Sequence, residues 1–179
     1  MKKNLFSLNS KTGFAGLLLG LLVLAFFPGA AQARSLTMEQ VVVEAEVLPD
    51  ASMRVTEKLT IDFSGQWNGF YVKIPQGSTP LQEVAVRENG RAYTFNPGKD
   101  YGPPGTYLTK TESGKLVIDW SIAAWDEIRT FEVSYRVMNA VQIHNDAAEL
   151  YRKFIGSDNA EKIKAVTVNL KLPPGAEAY

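Results

Sequence analysis

The stretch from Met53 to Phe63 alternates apolar and polar side chains, and this period of two constrains the fold more than any other feature of the sequence. Its apolar face carries Met53, Val55, Leu59, Ile61 and Phe63. Successive side chains of an extended strand point to opposite faces, so the segment is predicted to be a β-strand with one buried face. Glu57 is the exception, because it falls on the apolar face, where an unpaired carboxylate is costly to bury.

Other segments repeat the alternation and are separated by turn residues. The predicted strands lie at 41–47, 53–63, 67–74, 81–86, 93–95, 107–111, 115–120, 130–137 and 166–172. The turn residues Leu48 to Ser52 predict a hairpin between the first two strands, and Asn89-Gly90 is a strong hairpin signal between two later ones. The pattern predicts an all-β protein, an antiparallel β-sandwich of about eight or nine strands.

One segment near the C-terminus has helical spacing instead. Asp146 and Glu149 form the capping pattern of a helix start, and Gly156 is a natural C-terminal stop. Between them the apolar residues recur at helical intervals: Ala147, Leu150, Tyr151 and Phe154. The sequence therefore predicts one short helix over about residues 146–155.

The N-terminus has the three parts of a secretory signal peptide. Lysines precede an apolar run from Gly13 to Phe27, and Ala31-Gln32-Ala33 offers small residues for cleavage. The apolar run is about 15 residues, short of the roughly 20 that cross a bilayer, although an uncleaved membrane anchor is the alternative. We expect residues 1–33 to be the signal peptide and residues 34–179 to be one extracytoplasmic domain.

Composition excludes several classes of site. The chain has no cysteine, which removes thiolate nucleophiles, thiolate metal ligands, redox pairs and lipid anchors on cysteine. After loss of the signal the chain is slightly acidic, and its only adjacent basic pair is Arg152-Lys153. Nucleic-acid binding needs many basic side chains on one face, so a nucleic-acid partner is not expected.

No pattern of acids or histidines specifies a reaction or a cofactor. Glu57 is a candidate binding-site acid, with a structural ion pair or hydrogen bond as the alternative. His144 is the only histidine. The sequence contains no G-x-S-x-G motif that would supply a serine nucleophile for it, and no set of further metal ligands accompanies it. The acids Asp119, Asp126 and Glu127 could form a hydrolytic pair, but Asp119 lies in an alternating segment that predicts an exposed strand face.

The aromatic residues allow a carbohydrate-binding interpretation. The candidates for stacking on a sugar are Trp67, Trp120, Trp125, Tyr71, Tyr101 and Tyr107. Large aromatic residues within strands are usually core residues, which is the simpler interpretation of Trp67 and Trp120. Trp125 and Tyr101 fall outside clean strands, and together with Glu57 they are the predicted contacts to a ligand or partner.

The residues resemble a bacterial family of predicted membrane proteins, domain of unknown function 2207. Its opening block is matched by Asp50-Ala51-Ser52, Val55, Glu57, Phe63, Gly65, Gly69-Phe70-Tyr71 and Ile74-Pro75. Its second block and domain end are matched by Tyr135-Arg136-Val137, Asn139-Ala140-Val141, Asp146, Glu149-Leu150-Tyr151, Ile155-Gly156 and Leu172-Pro173. Two positions depart from the pattern: Ala51 stands where a turn glycine is usual, and Arg152 where an aromatic residue is usual.

The resemblance implies an exported domain that transmembrane helices follow, and it implies no established function. Because the sequence stops at Tyr179 without such helices, we expect either a truncated piece of a longer protein, which we favour, or a soluble version of the domain. We expect a non-catalytic interaction or sensing module at the outer face of the cytoplasmic membrane, with an unknown protein or cell-envelope partner, no metal and no cofactor. A carbohydrate-binding module and an exported hydrolase using Glu57 and a second acid are the alternatives.

Overall fold

A computed structural model of the chain describes residues 34–77, 79–98, 101–156 and 163–176. The predicted signal peptide, residues 1–33, lies outside the described residues. The described part contains ten strands and no helix: β1 Ser35–Val47, β2 Met53–Pro75, β3 Leu81–Glu88, β4 Arg91–Ala92, β5 Thr94–Phe95, β6 Thr106–Glu112, β7 Lys115–Val137, β8 Val141–Ile143, β9 Ala148–Leu150 and β10 Val166–Lys171. The prediction of an all-β domain is confirmed.

Eight of these strands form one sheet built around two long strands. The main path runs β10-β1-β2-β7-β3-β4, β6 pairs with β7, and β5 pairs with β6. β2 and β7 are 23 residues each and pair antiparallel over almost their whole length. β8 and β9 form a separate two-stranded hairpin.

The two long strands fold back on themselves, as contacts between aromatic rings demonstrate. Trp120 and Phe131 lie on the same strand, where 11 extended residues would separate them by about 36 Å, yet their ring centroids are 5.4 Å apart. Phe63 and Phe70 would likewise be about 23 Å apart on a straight strand, and their centroids are 6.3 Å apart. The two halves of β2 and β7 therefore pack against each other.

Two β-bulges lie at this reversal, the first on β2 and the second on β7, where Ile122 and Ala123 lie opposite Asn68. Ser64 and Gly65 on β2 lie opposite the single residue Asp126 on β7, and such an extra residue bends a strand and increases its twist. Gly65 has φ +77° and Asp126 has φ +46°, a left-handed conformation that glycine adopts freely and aspartate tolerates. The Asp126 Oδ1 accepts a hydrogen bond of 2.6 Å from the Gly65 N–H, which ties the two sides of the corner together.

The core is one continuous apolar cluster that draws on both halves of the sheet. The apolar face of β2 predicted from the sequence is buried as expected, and Phe63 and Ile61 are completely inaccessible to solvent. Phe63, Trp120 and Phe131 lie at the centre of the cluster with their rings in contact. Buried apolar area is the main favourable term in folding, so this cluster holds the folded-back sheet closed without a disulfide.

The predicted helix over residues 146–155 is wrong, since this segment contains the strand β9 Ala148–Leu150 and no helical turn. The inward side chains follow a period of two: Leu150, Arg152 and Phe154 are partly buried, whereas Tyr151 is 88% exposed. A helix would have placed Tyr151 on the buried face. Isolated helices of about ten residues are marginal in water, so packing of the extended chain over the core decides the conformation.

The prediction of a purely antiparallel arrangement is also wrong, because the sheet is mixed. β10 pairs parallel with β1, and β5 pairs parallel with β6. The predicted segments 53–63 and 67–74 are one bent strand, as are 115–120 and 130–137. Gly65, at the bend of β2, has the sequence signature of a strand end, although the hydrogen-bonded ladder with β7 continues beyond it.

Candidate functional site

An open groove lies beside the corner of the folded sheet, on the second half of β2 and the first half of β7. Its volume is about 580 Å³. The residues that line it are Arg34, Trp67, Asn68, Gly69, Phe70, Tyr71, Tyr101, Gly102, Pro104, Asp119, Ser121, Ile122 and Ala123. Because it combines aromatic, amide, hydroxyl and carboxylate groups, the groove is the candidate binding site.

Two glycines of the groove lining lie very close to neighbouring residues. A Cβ at Gly69 would approach the Trp120 carbonyl oxygen to 3.1 Å, and one at Gly102 would come within 2.4 Å of the Thr106 Oγ1. At 2.4 Å a Cβ at Gly102 would clash, and at 3.1 Å a Cβ at Gly69 would require its neighbour to move by a few tenths of an ångström. Both positions therefore favour glycine because the chain packs closely there.

Asp119 supplies the carboxylate of the groove. Only 6% of the residue is accessible, and burial raises the pKa of its carboxyl group, partly offset by a hydrogen bond from the Tyr101 hydroxyl and by the charge of Lys110. The charge of Asp119 and that hydrogen bond in turn raise the pKa of Tyr101. The Asp119 carboxyl group and the Tyr101 hydroxyl therefore form one hydrogen-bonded pair at the wall of the groove.

Exposed aromatic rings flank this carboxylate. Tyr101 is 71% exposed and Tyr71 is 54% exposed, which is unusual for side chains whose burial stabilises a fold. The Lys73 Nζ lies 5.4 Å from the centre of the Tyr71 ring. At the opposite side the Arg34 guanidinium lies 4.8 Å from the centre of the Trp67 ring, a cation–π geometry.

Glu57 lies outside this groove, buried within the core. The Tyr135 hydroxyl donates a hydrogen bond of 2.6 Å to its Oε1. Burial raises the pKa of Glu57, while the hydrogen bond from Tyr135 and the charge of Arg152 act in the opposite direction. Glu57 borders a cavity of only about 20 Å³, which is roughly the space of one water molecule. This geometry accommodates a structural hydrogen-bonded cluster and offers no space for an organic substrate.

The sequence-predicted site residues are not brought together. Tyr101 lines the groove, Glu57 is buried, and Trp125 is 64% exposed at the corner outside the groove lining. His144 is exposed, with its Nε2 3.6 Å from the Glu149 carboxylate. Within the described ranges, no three His, Cys, Asp or Glu side chains form a cluster that could hold a metal ion.

The sequence gives no signal for Asn68, and it names Tyr71 only as one of six aromatic candidates for stacking on a sugar. It predicts an exposed strand face for Asp119, but residues 116–122 are buried on both faces. A nearly continuous apolar run is typical of such a strand, and a carboxylate inside one was the available signal. The imagined acid pair does not form either, because Asp126 holds the corner and Glu127 is exposed near Arg129.

The fold has weak resemblance to solved structures. A two-domain M1 zinc metallopeptidase bound to L-arginine aligns with a TM-score of 0.46 and 11% identity, covering 80% of this chain and 34% of that chain. An M1 zinc metallopeptidase from Deinococcus radiodurans aligns with a TM-score of 0.44 and 10% identity, covering 78% and 33%. The chain thus spans about a third of the length of these enzymes. No curated protein matches.

A family model provides the specific match. Among the described residues, no helical segment has the length and hydrophobicity of a transmembrane span. The model of the N-terminal domain of predicted membrane proteins with domain of unknown function 2207 matches residues 37–178, which covers every strand except the first two residues of β1. The chain therefore belongs to the family of predicted membrane proteins defined by domain of unknown function 2207.

Proposed function

We propose that this domain is a non-catalytic extracytoplasmic interaction or sensing module of a membrane-associated protein, and that the groove around Asp119 is its ligand surface. The observation that carries the proposal is the exposure of Tyr71 and Tyr101 beside a shielded carboxylate. An exposed aromatic pair gains little in the free protein and much when a ligand covers it. The family match and the signal-like N-terminus support the location.

The two packed halves of the sheet suit this role. We propose that they are the two layers of a β-sandwich. In that arrangement the core lies between the layers, and their outer surfaces and the corner are free for contacts. Arg34 is the first described residue and lines the groove. Cleavage after Ala33 would place the new α-amino group at the groove wall.

The location is tested by protease accessibility in the native bacterium. We expect externally added protease to remove an epitope tag inserted in the Asn89-Gly90 turn of intact protoplasts, while a cytoplasmic marker survives. Protection of the tag until the membrane is lysed would contradict the extracytoplasmic assignment. Removal of residues 1–33 should leave the tagged protein in the cytoplasm.

Ligand binding is tested with purified insoluble cell-envelope material in a co-sedimentation assay. Loss of one stacking ring costs roughly 1–1.5 kcal/mol, or about tenfold in affinity. Tyr101→Ala and Tyr71→Ala should each weaken binding by about this factor. Trp125→Ala is the matched control, because it removes an equally exposed ring outside the groove. Equal losses for all three variants would contradict the groove as the ligand surface.

A carbohydrate ligand is the second candidate, favoured by the same residues. Sugars present apolar C–H faces that stack on aromatic rings and hydroxyl groups that bond to carboxylate and amide side chains. Asp119 and Asn68 supply such groups in the groove that Tyr71 and Trp67 also line. Calorimetric titration with soluble β-1,4-linked N-acetylglucosamine oligomers tests this candidate. Binding to envelope material without binding to any oligomer would retain the interaction module and remove the carbohydrate assignment.

A further inference from the structure

We infer that β10 is a self-association edge, through which two copies of this domain pair antiparallel about a two-fold axis. This surface is separate from the groove and does not depend on it. β10 is the terminal strand of the sheet path and pairs only with β1 among the strands that the structure describes. An edge strand carries a row of main-chain donors and acceptors that can pair with another strand.

The hydrogen bonds between β1 and β10 identify the β10 residues whose main-chain N–H and C=O groups point to the open side of the sheet. The Val41 N–H donates to the Ala165 carbonyl oxygen at 2.9 Å, so the main-chain groups of Ala165 point towards β1. Because these groups alternate in direction along a strand, those of Val166, Val168 and Leu170 point away from β1. The register of β1 and β10, with Val41 opposite Val166, agrees with this assignment.

The same three residues carry the apolar side chains of β10. Val166, Val168 and Leu170 lie beside Val41, Val43 and Ala45, which are buried core residues. Val166, Val168 and Leu170 themselves are 46%, 44% and 45% exposed. The core face of the sheet thus continues onto β10 without a cover from the described residues, and a second strand would extend it.

The strand is complementary to itself. In an antiparallel pair centred on Val168, Val168 meets its own copy and Val166 meets Leu170 of the second copy. Each of these is a hydrogen-bonded pair that exchanges two main-chain bonds, and every apolar side chain meets an apolar one. Lys171 meets Ala165, so no like charges face each other. A two-fold contact of this kind closes on itself and does not propagate into fibres.

The edge also lacks the usual protection against pairing. Natural edge strands are kept short or carry unpaired lysines, prolines or bulges. The opposite edge of the sheet follows this rule, since β4 is only two residues long. On β10, Lys171 is bound to Glu46 at 2.8 Å and Asn169 to Glu44 at 2.7 Å, on the other face of the sheet. The polar side chains are therefore engaged with β1 and leave the edge open.

Sedimentation velocity of the purified chain tests the inference. We expect a dimer whose fraction rises with protein concentration. Val168→Pro removes an N–H that the β1 ladder does not use and should shift the protein to monomer. Val168→Thr, which keeps the N–H and the branched shape, should leave the dimer fraction unchanged. A wild-type monomer at every concentration, an open-ended series of oligomers, or equal dimerisation of Val168→Pro would each overturn the inference.

A cysteine cross-link tests the same geometry independently of whether Val168→Pro folds. The chain has no cysteine, so Val168→Cys introduces one thiol next to its symmetry mate. Paired strands hold facing Cα atoms at a spacing that a disulfide can bridge. Mild oxidation should give a covalent dimer in high yield. Ile128→Cys, at a position 62% exposed elsewhere on the surface, is the control, and equal cross-linking of both variants would contradict the interface.

Discussion

Replacement of Glu57 by glutamine tests whether the buried carboxyl group is held in its neutral form. The Glu57 side chain lies among core residues and accepts one hydrogen bond of 2.6 Å from Tyr135. Glutamine has nearly the same shape and retains the accepting oxygen. The substitution therefore removes the titration and conserves the main contact, at a constant cost for its buried amide N–H groups.

Proton linkage sets how strongly the free energy of unfolding depends on pH. Burial raises the pKa of Glu57 in the folded protein, so the folded state keeps its proton at pH values where the unfolded state has released it. Below the unfolded pKa of about 4.3 both states are protonated and the group contributes nothing to the pH dependence. As the pH rises from there to the folded pKa, the free energy of unfolding falls by about 1.4 kcal/mol per pH unit.

Urea denaturation between pH 4.5 and 8 measures this slope. We expect the stability difference between wild type and Glu57→Gln to change by about 1.4 kcal/mol per pH unit in favour of the variant until the folded pKa is passed. Asp62→Asn, on the exposed face of the same strand, is the matched control for replacing a carboxyl group of β2 by an amide. A pH-independent difference between Glu57→Gln and wild type would mean that Arg152 holds Glu57 ionised and that burial does not keep the carboxyl group protonated.

Three further substitutions test the corner, a turn and an ion pair. Asp126→Ala removes the hydrogen bond to the Gly65 N–H and should cost about 1–2 kcal/mol in urea denaturation; an unchanged midpoint would contradict the role of the corner. Ala51 has φ +63°, so Ala51→Gly should raise the stability by about 1 kcal/mol, measured as a higher Tm. Burial raises the pKa of Glu88, but hydrogen bonds from Arg129 and Tyr93 outweigh it and lower the pKa overall. Glu88→Gln should therefore cost about 1 kcal/mol at pH 7 and progressively less as the pH falls through that lowered pKa, and a cost independent of pH would contradict the pairing.

The individual strands can be predicted from the sequence, but the pairing between strands that are distant in the chain cannot. Alternation identifies β1, the first half of β2 and the second half of β7, because burial of one face leaves a period of two in the residues. It cannot reveal that β2 continues past Gly65, since a bulge and a turn have the same residue preferences. The parallel pairing of β10 with β1 joins distant segments, and no local signal encodes it.

The segment around Leu150 illustrates why local propensity fails. Its capping residues and apolar spacing suit a helix, but Arg152 reaches the Glu57 cluster and Phe154 packs on the core only from an extended chain. Arg152 also occupies the position where the family pattern favours an aromatic residue. Tertiary contacts therefore override the helical preference.

The candidate site was predictable only in part. Tyr101 could be identified because an aromatic residue in an irregular loop has no strand to bury it. Asp119 became a groove residue only through its contact with Tyr101, which depends on how the loop folds over β7. The position of Glu57 on an apolar strand face predicts that its side chain is buried. It does not show whether the buried carboxyl group binds a ligand.

The domain is proposed to act through the groove around Asp119. Chemical-shift mapping by NMR, during titration with soluble fragments of the cell envelope, examines this surface residue by residue. We expect the largest shifts at Tyr71, Tyr101 and Gly69, and unchanged amides around Glu57 and Trp125. Shifts confined to the region of Glu57, or to surfaces away from the groove, would contradict it.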